Sequence, residues 1–170
     1  WERFNKYIRN LPDDGNYHPL DEVITFANTE VKKKDYVSKR LPYSLEEGKT
    51  DAGDELLGVL YSPDERDKIE WSIGAIVSGD SRWIQKFLVF YGPPGTGKST
   101  IIDIIEKLFT GYVATFEAKA LTSNSGTFAM ESFESNPLVA IQHDGDLSRV
   151  EDNTRLNSIV GHDSMQLNVK

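Results

Sequence analysis

The chain contains no cysteine, so neither a disulfide framework nor a set of thiolate metal ligands can organise it. That absence fits a reducing interior. Its three histidines, His18, His143 and His162, have no paired spacing and give no zinc signature. No apolar run approaches the length of a membrane span, and the opening "WERFNKYIRN" is too charged for the core of a secretion signal, so a soluble protein without a membrane partner is expected. Basic residues are also short. With 19 Lys+Arg against 27 Asp+Glu the net charge is −8, so a nucleic-acid partner would have to meet a local basic surface.

What remains is a globular composition. Hydrophobic residues at 38% and charged residues at 27% suit a folded chain, and 170 residues give room for one substantial domain with a small subdomain. The sequence starts at a tryptophan and stops inside a strand-like "SMQLNVK", which reads as a piece of a longer polypeptide, truncated at the C-terminal end of its core.

Three regions are expected. Residues 1–50 form a mixed preamble: a helical spacing of Trp1, Phe4, Ile8 and Leu11, then two short strands near 22–27 and 35–43 around an Asn-Thr turn, then a polar loop. Residues 51–80 are helical. Leu56, Leu57, Val59 and Leu60 cluster first, and "SPDERDKIEWSIGAIVSGD" follows with Ser62 as N-cap, Pro63 at the first helical position and Glu65 closing a capping box. Its core face is expected to carry Ile69, Ile73, Ile76 and Val77, with Trp71 beside them, and Gly79 ends it.

Residues 81–170 alternate strands and helices, the pattern of a parallel α/β sheet. "KFLVFY" at 86–91 predicts a strand covered on both faces, and a helix follows with Ile101, Ile102, Ile105, Leu108 and Phe109 as its stripe and Gly111 as its stop. "YVATFE" predicts a second strand, "TFAMESF" a short helix, "PLVAIQ" a third, buried strand, "RVEDNTRLNSIVG" a helix and "SMQLNVK" a further strand.

Between the first strand and its helix lies "GPPGTGKST": Gly92, Pro93, Pro94, Gly95, Thr96, Gly97, Lys98, Ser99 and Thr100. This is G-x-x-x-x-G-K-[ST], in which backbone N–H groups turn inward around phosphate oxygens and the helix start adds its positive dipole end. Lys98 is expected at the β- and γ-phosphates of ATP, and the Ser99 hydroxyl on Mg²⁺. A hard cation needs a further oxygen ligand and an attacking water needs orienting. "HDGD" at the end of the third strand supplies Asp144 as the first candidate and Asp146 as the second, with Lys98 completing the catalytic set; His143 is expected only to satisfy the strand end. Lys32, Lys33, Lys34, Lys39 and Arg40 read as a solvated edge, and Lys119, Arg149, Arg155 and Lys170 as surface charge.

The order "YVSKRLPYSL", "GAIVSGDSRWIQKFLVFYGPPGTGKST", "NPLVAIQHDGD" and "LNSIVGHDSMQLNVK" resembles the superfamily 3 helicases of phage, plasmid and viral primase-helicase proteins, over nearly the whole chain. What the resemblance implies is an AAA+-like P-loop NTPase, its parallel sheet flanked by helices and preceded by a small mixed or helical collar. It also implies self-association into a ring, usually a hexamer, and Mg-ATP hydrolysis coupled to movement on single-stranded DNA. A linked primase or polymerase domain and a cytoplasmic setting, in the host cell if phage-encoded, belong to the same expectation. The strand near Ser164 would lead to the hairpin that grips DNA. The sequence departs from that pattern at Thr96, where many relatives carry Asn, and at His143, which precedes a single acid. The sensor asparagine and arginine finger would lie beyond Lys170, which implies weak hydrolysis without them. A different class open to the same motif is an AAA+ ATPase that remodels proteins or gates assembly without moving on DNA.

Overall fold

In this computed structural model the structure describes residues 24–32, 37, 39–117, 131–133, 137–145 and 153–163. The expected first helix, residues 164–170 and Asp146 lie outside them.

Helix α1, Asp51–Leu60, starts earlier than the apolar cluster alone suggests. Asp51 and Asp54 occupy its first turn, where carboxylates favour the helix dipole, and the Thr50 hydroxyl donates to Asp54 at 2.7 Å. Tyr61 breaks out in an extended conformation and Ser62 opens α2, Pro63–Ser78. At that start the Glu65 carboxylate turns back and accepts from the Ser62 backbone N–H at 2.9 Å and from its hydroxyl at 2.7 Å. Gly79 closes the helix in the left-handed region at φ 75°. Arg66 ties the pair together, donating to Asp54 on α1 and to Glu70 one turn along at 2.6 Å.

A single turn, α3, Ser81–Ile84, follows. Helix α4 spans Lys98–Leu108 and buries Ile101 and Ile105. Ile104 and Leu108 also pack on the core, whereas Ile102 stands outside that cluster. Strand β1, Val113–Thr115, pairs in parallel with β2, Val139–Ile141, matching Val113 to Val139 and Thr115 to Ile141. The "TFAMESF" segment holds a 3-10 turn at Glu131–Phe133, its first residues lying outside the description. Helix α5, Thr154–Gly161, ends at His162, whose Nε2 shares a hydrogen bond of 3.2 Å with the Ser81 hydroxyl of α3.

Four expectations are corrected. No strand forms in the described parts of 22–27 and 35–43. There the Ala27 N–H donates to the Tyr43 carbonyl (2.9 Å) and the Leu41 N–H to the Thr25 carbonyl (2.8 Å), which do not continue as a ladder. Pro42 has no N–H to extend it, and the Asn28 side chain brackets Leu45 instead, through Nδ2 to the carbonyl (2.9 Å) and Oδ1 from the N–H (3.1 Å). The run 86–91 is not in a strand either. Apolarity alone does not make a strand without a paired neighbour, and among the described residues neither β1 nor β2 pairs with this run. Phe87, Leu88, Val89 and Tyr91 are exposed, and Phe90 alone packs inward. The third strand is short and half-buried rather than buried. Trp71, finally, faces away from the core at 57% exposure, because it lies off the Ile69–Ile73–Ile76 stripe.

The buried cluster unites all three regions. Ile24, Phe26 and Leu41 meet Ile69 of α2 and Ile101, Ile105, Phe109 and Tyr112 from α4 and its exit. Full burial of each such side chain is worth about 1.5–3 kcal/mol, so the preamble contributes to the same core as the helix that leaves the glycine loop.

Candidate phosphate-binding loop

The loop reaches α4 through glycines. Gly95 and Gly97 both hold φ near 81°, where an L side chain is strained, and Gly97 is the residue from which α4 starts. The Gly97 carbonyl accepts from Ile101 at 3.1 Å, closing the first helical turn. The amides of Lys98, Ser99 and Thr100 precede that bond and have no intrahelical partner. Together with the dipole of an 11-residue helix they concentrate positive potential at one end.

Lys98 folds over this end. Its Nζ donates to the carbonyls of Gly92 (2.9 Å) and Pro93 (2.7 Å) and to the Thr96 hydroxyl (3.3 Å), while that hydroxyl donates to Pro93 O at 3.0 Å. All three ammonium donors therefore lie within the loop. Pro93, Pro94, Ser99 and Thr100 are exposed, so the mouth of the loop is open to solvent. A cradle of left-handed glycines, unpaired helix amides and one flexible cation fits a polyanionic phosphate chain.

Beyond β2 the chain passes Gln142 and His143 and reaches Asp144 in the left-handed region at φ 50°, a conformation that aspartate tolerates better than most residues. His143 Nε2 and Glu106 Oε1 on α4 lie 3.0 Å apart, so His143 satisfies the strand end as expected, through a partner the sequence did not single out. Glu106 stands seven residues past Ser99, about 10 Å of helical rise, which sets the strand tip beside the last turn of α4. No hydrogen bond or ion pair joins Asp144 to Ser99 among the described residues.

No cluster of three His, Asp or Glu able to hold a metal occurs among the described residues. Magnesium does not require one: it takes one or two protein oxygens and completes its shell with phosphate and water. The Ser99 hydroxyl and the Asp144 carboxylate are donors of that kind, and both are exposed.

Sequence reasoning missed two neighbours of the site. Glu106 sits among the polar residues of an amphipathic helix, with no local signal for its partner. Leu60 ends α1, and its Cδ1 comes within 2.9 Å of where a Cβ on Gly97 would stand. The basic candidates divide. Lys39 lies over the Tyr112 ring at 5.7 Å, and Arg40 reaches the Ala27 carbonyl at 3.5 Å. Arg155 is exposed on α5, and Lys33, Lys34, Lys119, Arg149 and Lys170 fall outside the described residues.

A family model described as a family of unknown function, DUF5906, matches residues 90–170, a span that begins two residues before Gly92. No curated protein and no solved structure matches the chain.

Proposed function

We propose that this chain is the nucleotide-binding part of an ATP-dependent DNA helicase of the phage or viral replication type, coupling Mg-ATP hydrolysis to movement along single-stranded DNA. The observation that carries the reading is the loop itself: Gly95 and Gly97 left-handed, Lys98 over the loop carbonyls, and α4 starting from Gly97.

In this reading Lys98 exchanges its loop carbonyls for β- and γ-phosphate oxygens, and the first amides of α4 hold the remaining charge. Ser99 would hold Mg²⁺, which supplies charge neutralisation across the phosphates when bound, and Asp144 would join it only after the strand tip moves from the last turn of α4 toward Ser99. Asp144, or Asp146 two positions on in the sequence, orients the attacking water. The AAA+-like fold, the ring of subunits, a linked primase or polymerase domain and the cytoplasmic setting belong to the same proposal. It is supported by the resemblance in motif order and by the parallel β1–β2 pair after the loop. No helix among the described residues is long and apolar enough to cross a membrane.

The test measures ATP binding and turnover with and without single-stranded DNA at two salt concentrations, using Lys98→Ala as control. Replacing the ammonium removes charge-assisted hydrogen bonds worth about 1.5–3 kcal/mol each, so nucleotide affinity should fall roughly tenfold or more. The melting temperature should hold, because Lys98 lies outside the buried cluster. Wild-type affinity in that variant would sink the loop assignment. Turnover that DNA does not stimulate, with no salt-sensitive DNA binding, would instead favour nucleotide-gated remodelling of proteins.

A further inference from the structure

The corner between α1 and α2 is seated on the phosphate loop. Of the three loop glycines, an added Cβ at Gly95 would meet nothing within 4 Å, and one at Gly92 would meet only the loop's own Thr96 hydroxyl. At Gly97 it would meet a side chain from another element: Leu60, with Cδ1 at 2.9 Å, Cδ2 at 3.1 Å and Cγ at 3.4 Å. The branched head of Leu60 thus lies flat against the residue whose left-handed dihedral aims the first amides of α4.

The corner is itself anchored. Leu57 and Tyr61 pack on the buried cluster, Tyr61 with its hydroxyl buried and unpaired among the described residues, while Ile69 holds α2 in that cluster at 4% exposure. Arg66 locks α1 to α2 through Asp54. Leu60 therefore projects from a braced helix pair, and displacement of Gly97 is resisted from that side.

We infer that Leu60 is a positioning residue for the phosphate loop, coupling phosphate occupancy at Gly97–Ser99 to the α1–α2 helix pair. The inference builds on the proposed nucleotide binding. Since coupling is reciprocal, whatever stiffens the helix pair tightens nucleotide binding, and nucleotide in turn steadies the helix pair.

The test uses the full 170-residue chain with Mg-ATP as probe, and titration calorimetry below the melting temperature. Leu60→Ala should weaken binding at least about fivefold, the low end for coupled sites, and Leu60→Met should restore it by refilling the same volume. In the wild-type chain, amide exchange at 56–61 should slow together with 92–99 when Mg-ATP is added. A residue that only stabilises the fold would lower the melting temperature and leave both readouts unmoved. Unchanged affinity in folded Leu60→Ala overturns the inference. Should that variant not fold, unchanged exchange at 56–61 beside a protected loop overturns it equally. Failure of the wild-type chain to bind Mg-ATP at all is a distinct result, which removes the nucleotide reading and this inference with it.

Discussion

Single side chains in this protein join segments that are far apart in sequence, and Tyr112 shows the size of the effect. Its hydroxyl accepts from the Thr25 N–H at 3.0 Å and donates to the Lys39 carbonyl at 2.9 Å, spanning 87 and 73 positions. The ring is 1% exposed and lies under the Lys39 ammonium. Tyr112→Phe keeps the ring and the cation contact and deletes both hydrogen bonds, leaving the N–H of Thr25, itself 5% exposed, without a partner. A buried unpaired backbone group costs about 1–3 kcal/mol, so urea denaturation of Tyr112→Phe should show a loss of that order. A change under about 0.5 kcal/mol would mean that water replaces the hydroxyl.

At the scale of elements, local signals were legible and distant partners were not. The start of α2 was readable because Ser62, Pro63 and Glu65 act within one turn, and the start of α4 because glycines and lysine at fixed spacing act on their own backbone. The chain at 86–91 reads as a strand by apolarity, but periodicity does not fix a neighbour, and neither described strand pairs with it. For the same reason the His143–Glu106 contact, 37 positions apart, and the seat of Leu60 on Gly97 had no sequence signature. The legible elements carry a pH dependence. Glu65 titrates below its ordinary value because it accepts from the Ser62 hydroxyl and then from its backbone N–H. Asp54 is lowered first by the Thr50 hydroxyl and also by Arg66. Because both folded-state values lie below the unfolded ones, near 4, their stabilisation is complete above about pH 5 and is lost as pH falls through the lowered values. Melting temperature should therefore decline on acidification below that window. The decline should be shallower in Glu65→Gln with Asp54→Asn; an unaltered slope would show that other carboxylates govern it.

On the scale of the whole molecule, divisions visible along the sequence do not divide the core. The preamble, the helix pair and the loop-bearing region read as three units, yet Leu41 from the first is fully buried in the cluster that holds Ile101 and Ile105 of α4. Tyr43 reinforces the junction, its hydroxyl donating to the Leu108 carbonyl at the end of α4. The backbone that carries Lys98 and Ser99 is thus supported from below by residues some sixty positions earlier. Leu41→Ala should cost about 2–5 kcal/mol, the range for emptying a packed aliphatic site. If the core is one cooperative unit, circular dichroism and amide exchange at residues 24–45 should report the same shifted urea midpoint. Two separate midpoints, with helicity unmoved by the substitution, would show instead that residues 24–45 fold independently of the helix behind the glycine loop.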